Sequence, residues 1–536
     1  MRLLFFNCFL VFILNMSFCN AQEATIWKKF TGEINAPETP MLFDYSYAGY
    51  KLGETGIPKK FKHLKVFNVQ DFGAIPNDSI PDQEAIQAAI HAAEKNNGGI
   101  VFFPKGEFLV NVKPTESNPI TITTSNIILK GSGWGKNGTT INMKNHMLQS
   151  YPDQPEWQVS YMFNFFSKKG DGKSTSISKN ANAGAFTIEV EIIENFKNAT
   201  FIQLEMPSNV EAVNDALQGK PTRPHWERII EKGVTYVENH EIKSISGNTI
   251  TLKDPLINTI NVQYHWIAKP FYPLENVGVE DIFFKANLND VFVHHKDFLH
   301  DNAWSIISMA RVANSWVQRC KFANVTGGIS FGNSYASSML MLLFEGNAGH
   351  KLTNVTQSSR ILTGLIDDAS NSGQFHGASM SHKTSGSVIW RVKNPKQGWD
   401  SHAEFPINNL VDVYEGAKMT NHGGNYKNEP HHLKGLTLWN YKRVGDTVTN
   451  YDFWKLSGPE HLYWGFAVVN PIVVGFHGSP TTFNEENLGY LESLGKAVSP
   501  ESLYEAQLKF RLKKTPKWIP KTLKEWNQIE KDWKRN

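Results

Sequence analysis

Apolar residues in the second half of the chain recur in short runs with a spacing in the low twenties. The segments 314–324 (NSWVQRCKFAN) and 337–347 (SSMLMLLFEGN) align at an offset of 23, and each ends on Asn. Gly386-Ser387 and Asn408-Asn409 each precede an apolar run, at the similar offset of 22. Such a period is typical of repeat folds in which each coil of short strands stacks on the one before. The pattern predicts a parallel β-solenoid with stacked Asn side chains at the coil ends.

The first half contains one clear amphipathic helix between two short strands. Its apolar positions have helical spacing: Ala85, Ile86, Ala89, Ile90 and Ala93. Asp82 is the predicted N-cap, and Gly98-Gly99 ends the element before the apolar strand 100–104. An open solenoid end exposes unpaired backbone groups and apolar core, so we expect this helix to cover that end.

Two stretches of the first half carry a family resemblance. The run FNVQDFGAIPNDSIPDQEAIQAAIHAAEKNNGGIVFFPKGEFLV, residues 67–110, resembles the N-terminal signature of the pectate-lyase superfamily, and IILKGSG, residues 127–133, resembles its next coil. The resemblance implies an all-β fold, a right-handed parallel β-helix with an N-terminal capping helix. Lyases, hydrolases, epimerases and phage tailspikes share this signature, so it implies the fold and leaves the reaction open.

Residues 1–21 are predicted to be a secretory signal peptide. Arg2 supplies the positive charge, residues 3–14 are apolar, and residues 19–21 (CNA) offer a cleavage site. The apolar run is short for a membrane span. Removal of this segment also removes Cys8 and Cys19, which leaves Cys320 and excludes an intrachain disulfide. The mature protein is expected to be secreted or periplasmic, without a membrane span.

The remaining chain is divided by its patterning into three predicted parts. Residues 22–60 form an N-terminal extension, and residues 61–480 form the β-helix. Alternating segments at 186–190 and 245–252 predict an inserted β-subdomain at about 150–265. Residues 481–536 form a C-terminal cap, in which Ser499 and Pro500 begin a helix. The Lys- and Trp-rich tail after Lys513 is expected to be solvated.

Composition narrows the class of partner. The chain has 536 residues, of which 40% are hydrophobic and 20% charged, and its formal net charge is +3. This charge is too small to favour a nucleic-acid partner, but it is compatible with a local basic groove for an acidic ligand. The expected partner is an acidic polysaccharide, and the protein is expected to be a monomer.

Basic side chains are concentrated in the segment 373–414. β-Elimination of a uronate polysaccharide needs a base for the proton beside the carboxylate, a cation for that carboxylate and an acid for the leaving oxygen. His382 or His402 is the predicted base, and Lys383 and Arg391 are predicted to neutralise the carboxylate. Four further residues are predicted to bind substrate, the tryptophan by stacking on a sugar: His376, Trp399, His422 and Tyr426.

Similarity over the whole chain to β-helix proteins of polysaccharide-degradation systems in marine Bacteroidetes implies an algal, ulvan-like substrate. One alternative is a glycoside hydrolase, which needs two carboxyl groups. Its candidate carboxylates are Asp367 or Asp368 paired with Asp400, Glu404 or Asp412. The other alternative is a carbohydrate-binding β-helix without catalysis.

Metal and cofactor use stays open at this point. The sequence identifies no cofactor for the predicted reaction. Asp367-Asp368 suits a Ca²⁺ site or a turn cap. The group His294, His295, His300 and Asp301 contains metal-ligand residue types, but its spacing matches no zinc motif.

Overall fold

The computed structural model describes residues 21–424, 426–455 and 465–535. Nearly all of the predicted signal peptide, residues 1–20, lies outside the described residues. Within the described ranges, no helix is long and apolar enough to cross a membrane. The α-helices are Thr25–Thr31 (α1), Gln83–Lys95 (α2), Val213–Leu217 (α3), Glu227–Lys232 (α4), Phe298–Asp301 (α5), Leu503–Leu512 (α6) and Trp518–Arg535 (α7).

Parallel strands form the first coils. They are Val66–Asn68 (β1), Gly99–Phe102 (β2), Gly106–Val110 (β3), Ile120–Ile122 (β4), Ile127–Lys130 (β5), Thr139–Met143 (β6) and Phe163–Phe166 (β7). β1 pairs with β2 and β2 with β5, all in parallel. β4 pairs in parallel with β7 on a second face, so β7 belongs to the solenoid.

An antiparallel sheet interrupts the solenoid. Its strands are Thr175–Ser176 (β8), Thr187–Glu189 (β9), Phe201–Asn209 (β10), Val234–Ser246 (β11), Thr249–Leu252 (β12) and Ile267–Phe271 (β13). The order β8-β13-β10-β11-β12-β9 is antiparallel throughout. The sheet packs on the later coils, since its cluster of buried residues includes Phe405, Ile407 and Leu433.

The coils then resume and continue to the C-terminal segment. Their strands are Leu274–Glu275 (β14), Gly278–Glu280 (β15), Phe283–Lys285 (β16), Ser305–Ala310 (β17), Val312–Ala313 (β18), Trp316–Ala323 (β19), Gly327–Gly332 (β20), Ser338–Glu345 (β21), Lys351–Thr356 (β22), Leu362–Asp368 (β23), Ala378–Ser381 (β24), Val388–Asn394 (β25), Asp400–His402 (β26), Leu410–Asp412 (β27), Glu415–Gly416 (β28), Thr420–Gly423 (β29), Thr437–Trp439 (β30), Lys442–Arg443 (β31), Thr449–Tyr451 (β32), Ile472–Val474 (β33), His477–Gly478 (β34), Thr481–Phe483 (β35) and Tyr490–Glu492 (β36).

The predicted fold class, an all-β parallel β-helix with an N-terminal capping helix and an inserted β-subdomain, is confirmed. Trp316 of β19 pairs with Ser338 of β21, so these strands repeat at an offset of 22. The stacked asparagines Asn324 and Asn347 have the predicted offset of 23, because Gly346 adds one residue between the strand β21 and the turn. The backbone N–H of Asn347 donates to Asn324 Oδ1 at 2.8 Å, and Asn371 Nδ2 donates to Asn347 Oδ1 at 3.0 Å.

Each coil bends at residues with left-handed backbone. One corner divides β19, β21, β23 and β25 each into two halves, and its residues are Arg319, Met341, Leu365 and Arg391, with φ between 50° and 59°. A second corner follows the sheet β17-β20-β22-β24 and is formed by Asn333, Gln357, His382 and Lys383. The side chains at these corners point out of the core, and the two corners face different sides of the solenoid.

The helix α2 covers the first coils as predicted, and its buried residues are Ile86, Ala89, Ile90 and Ala93. The predicted N-cap residue is confirmed as Asp82, although its side chain makes no capping hydrogen bond. Asp82 occupies the N-cap position, but its carboxylate accepts from the backbone N–H groups of Ile75 and Leu109 instead. The carboxylate therefore joins the loop of Ile75 to strand β3.

The C-terminal segment differs from the prediction at two points. The helix α6 begins at Leu503 with Ser502 as its cap, because the backbone of Ser499 pairs with Gln22 instead. The tail is not solvated, because α7 is a helix of 18 residues whose Trp526 is buried against the outer face of the solenoid. Helix α1 packs in the same cluster, so α1 and α7 cover the same side of the solenoid.

Candidate functional site

Two coil turns bring basic and acidic side chains together on the side of the solenoid that faces the insertion. His382 and Lys383 form the left-handed corner after β24. The N–H of His382 donates to the carbonyl of Ala403, and the N–H of Lys383 donates to that of Glu404. The predicted stacking of this turn on the next coil is therefore present.

Glu404 is the centre of charge at this turn. Its carboxylate lies 3.5 Å from His382 Nε2 and 3.9 Å from Lys383 Nζ, and it accepts a hydrogen bond from Arg228. Arg228 lies on α4, so the insertion contributes a side chain to this turn. Burial lowers the pKa of His382 to about 4 and lowers the pKa of Lys383. His382 is therefore neutral at neutral pH, and Lys383 gives up its proton more readily than a solvated lysine.

His402 lies beside this group with a buried carboxylate behind it. Its Nδ1 is 3.7 Å from Asp400 Oδ2, and its ring centroid is 6.2 Å from that of His382. Asp400 also accepts from His376 Nδ1 at 2.7 Å and from the hydroxyl of Thr420 at 2.7 Å. Burial alone would raise the pKa of Asp400, but His376 and His402 hold that pKa well below its usual range. Asp400 therefore stays ionised and can orient His402.

Further histidines extend from Asp400 along the solenoid axis. His350, His376 and His402 recur at equal intervals in the sequence, and their ring centroids lie 4.7 Å and 5.2 Å apart. His294 comes from the loop before α5, and its ring centroid is 5.1 Å from that of His376. His376, a predicted substrate-binding residue, is buried inside this row and has little surface for a sugar.

The structure does not bring Arg391 to the other three predicted catalytic residues. Arg391 is the left-handed corner residue of β25 and points to the outer face. Its guanidinium contacts the carboxylates of Glu501 and Glu505 at the start of α6. The prediction that Arg391 neutralises a substrate carboxylate beside His382 is therefore corrected. The guanidinium of Arg391 instead pairs with Glu501 and Glu505 and holds the C-terminal helix α6 in place.

The predicted sugar platform Trp399 is also corrected. Its side chain is only 1% exposed and packs in the main core, where it cannot stack on a polysaccharide. For the other two predicted binding residues, His422 lies on β29 and Tyr426 begins a short 3-10 helix. Their side chains lie outside the part of the structure that is described, and their roles stay predictions.

The carboxylates of the hydrolase alternative are separated. Asp368 accepts from Ser370 and Gln374 within its own turn, which is the turn-cap role. Asp367 lies on the outer face, 3.8 Å from Lys534 of α7. Asp412 accepts from Ser502 and the first N–H groups of α6. Of the predicted carboxylates, only Asp400 and Glu404 lie at the histidine-rich turn.

Sequence reasoning missed two components of the site. Arg228 belongs to the insertion, far before its partner Glu404 in the sequence, and no local signal points to it. His350 could have been found from the sequence, because the interval from His350 to His376 equals that from His376 to His402.

The buried histidines predict that the folded protein loses stability in acid. His432 is buried, its Nδ1 donates to the carbonyl of Leu433, and its Nε2 accepts from Asn409. Burial lowers the pKa of His432 to about 4, below the unfolded value of about 6.5. The contribution of neutral His432 to the free energy of unfolding is therefore complete above pH ~6.5. As the pH falls towards ~4, the unfolded chain binds a proton that the folded protein does not, and the free energy of unfolding decreases by about 3 kcal/mol.

Denaturant unfolding of the wild type and His432→Gln at neutral pH and near pH ~4 measures this contribution. The variant should lose less stability on acidification than the wild type does. Equal losses in the two proteins would show that His432 is not the titrating group.

Comparison with known proteins identifies the family of this chain. A sequence model described as "Rhamnogalacturonase A/epimerase, pectate lyase-like" matches residues 66–340, about half of the chain. The chain belongs to the rhamnogalacturonase A/epimerase, pectate lyase-like family. A second model, described as a domain of unknown function (DUF4955), matches residues 373–522. The turn with His382 and His402 lies in this second region of the pectate lyase-like chain.

Curated relatives of this pectate lyase-like chain match only short segments. Alginate lyase 7 of Azotobacter vinelandii is 43% identical over 70 residues, 13% of this chain and 8% of the relative. Mannuronan C5-epimerase AlgE3 of the same organism is 39% identical over 84 residues, 16% of this chain and 4% of the relative. The chain thus spans less than a tenth of the length of these relatives.

Solved structures match more of the chain at low identity. The tailspike protein gp49 of Pseudomonas phage LKA1 has a TM-score of 0.47 and 11% identity, covering 80% of this chain and 81% of that chain. An exopolygalacturonase of Thermotoga maritima has a TM-score of 0.31 and 13% identity, covering 85% and 96%.

Proposed function

We propose that this protein is a secreted, monomeric polysaccharide lyase that cleaves a uronate-containing polysaccharide by β-elimination at the turn of His382, Lys383, His402 and Glu404. The observation that carries the proposal is the convergence of two imidazoles, an amine and a guanidinium on this turn. β-Elimination needs these groups, a base, a proton donor and a cation for the carboxylate.

His402 is the base in this proposal. It is partly exposed, and the ionised Asp400 lies 3.7 Å from its Nδ1. A carboxylate in that position orients the ring and stabilises the imidazolium that forms when the ring takes a proton. His402 thus removes the proton beside the uronate carboxylate, and Asp400 acts as a positioning residue.

Lys383 and Arg228 supply the positive charge and the proton. The guanidinium of Arg228 binds the uronate carboxylate through its fork of N–H donors. Lys383, whose pKa is lowered by burial, protonates the leaving glycosidic oxygen. His382 is neutral and the most exposed of the group, and it donates a hydrogen bond to the bound sugar.

The two carboxylates at the turn favour elimination over hydrolysis. An inverting or retaining hydrolase needs one carboxylic acid that is protonated at working pH. Asp400 has a pKa well below its usual range, and Glu404 is surrounded by Arg228, Lys383 and His382. Neither is placed as a proton donor.

The substrate class follows from the basic turn and from the names of the relatives. A groove with Arg228 and Lys383 suits a polymer with a carboxylate on its sugars. The partial relatives are named for alginate and mannuronan, and the family name includes pectate lyase. An ulvan-like algal polymer is the substrate that we favour, with alginate and pectate as the next to be tested.

The test uses the chain from Gln22 onward with ulvan, alginate, pectate and glycosaminoglycans. Ultraviolet absorbance of the unsaturated uronate and new reducing ends are followed together. A parallel rise on one polymer supports elimination and names the substrate. Reducing ends without absorbance would overturn elimination in favour of hydrolysis, and binding without either signal would overturn catalysis.

A further inference from the structure

Three imidazoles from separate segments converge behind the proposed reaction site. They belong to His294 in the loop before α5, His350 before β22 and His376 before β24. Each offers a ring nitrogen, and the three nitrogens lie within 4.8 Å of one another. The ring centroids form a triangle with sides of 4.7, 5.1 and 5.3 Å. This arrangement lies next to His402 but is deeper in the solenoid.

Two of these rings are oriented by acceptors on their outer side. His350 Nδ1 lies 2.8 Å from the carbonyl oxygen of Asp301, and His376 Nδ1 lies 2.7 Å from Asp400 Oδ2. A carbonyl and an ionised carboxylate can only accept, so each Nδ1 carries the proton and each Nε2 keeps its lone pair. Metal-bound histidines show this pattern, with the second nitrogen held by a carboxylate or carbonyl.

The inner nitrogen of His350 has no partner within the described part of the chain. The side chain is 5% exposed, and its Nε2 has no hydrogen bond there. A buried polar nitrogen without a hydrogen bond is unfavourable, so such an atom calls for an explanation.

We infer that His294, His350 and His376 form a binding site for a divalent transition metal of the zinc type. Three imidazole nitrogens suit Zn²⁺, Co²⁺, Ni²⁺ or Cu²⁺, whereas Ca²⁺ takes oxygen ligands. The nitrogens lie within 4.8 Å of one another, so tetrahedral Zn–N bonds of about 2.0–2.1 Å require them to move together by up to roughly 1.5 Å. The stacked ring of Phe375, 4.4 Å from His294, gives the site an apolar wall.

Two neighbouring groups of residues fit a metal less well. In the group His295, Asp301 and His350, the ring of His295 is half-exposed, and its Nδ1 bonds Asp301 at 2.5 Å. Because this nitrogen and this carboxylate already bind each other, they are not both available to a metal. In the group His376, Asp400 and His402, the proton of His376 lies between the ring and the carboxylate. Asp400 is therefore a support for a ligand.

Metal binding is tested on the chain from Gln22 onward after removal of metal with dipicolinate and dialysis. Zn²⁺ is titrated by calorimetry near neutral pH, Co²⁺ by visible absorption, and Ca²⁺ serves as the oxygen-preferring control. We expect about one Zn²⁺ per chain, a Co²⁺ spectrum of nitrogen ligation and no comparable Ca²⁺ binding. Bound Zn²⁺ should also raise the melting temperature.

Variants identify the ligands. His350→Gln and His376→Gln should each weaken Zn²⁺ binding by more than about 100-fold, and Asp400→Asn by about 10–100-fold. His91→Gln, on the exposed face of α2, is the matched control and should bind as the wild type does. His294→Gln lies on a loop and serves if a buried variant fails to fold, as judged by circular dichroism.

Three outcomes would overturn the site: no stoichiometric Zn²⁺ binding, undiminished binding in both His294→Gln and His350→Gln, or equal binding of Ca²⁺. Loss of binding in His295→Gln with retention in His294→Gln would assign the metal to the other group and would also contradict the inference. None of these readouts depends on enzymatic activity, so the metal site and the proposed lyase reaction can fail separately.

Discussion

His402→Gln should lower the rate of β-elimination by about 10²–10⁴-fold, the usual contribution of a general base. Glutamine keeps a polar side chain beside Asp400 but cannot take up the proton. Because the loss arises in the chemical step, kcat should fall while KM changes little. The measurement is the initial rate of absorbance increase on the polymer that the substrate panel identifies.

Two controls separate catalysis from stability. His91→Gln removes an exposed imidazole far from the turn and should retain wild-type activity. Arg391→Gln removes the contacts to Glu501 and Glu505, so it should lower the melting temperature and leave the rate well below that temperature unchanged. A rate of His402→Gln within a factor of about ten of the wild type would exclude His402 as the base.

Trp526→Ala should reduce the free energy of unfolding by about 3–5 kcal/mol, the range for a buried aromatic residue cut back to alanine. Trp526 is 4% exposed and belongs to the cluster in which α7 packs on the outer face of the solenoid. Removing the indole leaves a cavity between the helix and the strands beneath it. Denaturant unfolding monitored by circular dichroism measures the change.

Lys531→Ala is the matched control on the same helix. Its side chain is exposed, so the change should stay within about ±0.5 kcal/mol of the wild type. A solvated tail would make both substitutions equally harmless. An effect of Trp526→Ala below about 1 kcal/mol would therefore contradict the docking of α7.

The spacing of apolar runs predicted the coils because stacking in a solenoid repeats the same local requirement every turn. Val388 pairs with Leu410 at the offset of 22 that the sequence pattern predicts. The same regularity placed His382, Lys383 and His402 on neighbouring coils. Helix α7 could also have been predicted from spacing, since Trp518, Trp526 and Trp533 recur at helical intervals. The many lysines between them make the segment look solvated.

Residues close together in sequence can still lie on opposite sides of a coil. His382 follows β24 and Arg391 lies on β25, the next strand in the sequence, yet His382 faces Glu404 and Arg391 contacts α6. Trp399 lies beside Asp400, but its indole enters the core. These outcomes depend on where each coil bends, and a bend at a non-glycine residue such as Arg391, with φ of 52°, has no strong local signal.

Periodicity and local motifs specify the solenoid, its capping helix and the cluster of basic residues. Which of those residues meet depends on long-range contacts in the folded chain. Arg228 reaches Glu404 because the insertion docks on the coils, and His294 reaches His350 and His376 because a loop folds over them. Both contacts join segments that are distant in sequence, and the free energy that forms them comes from packing of whole elements.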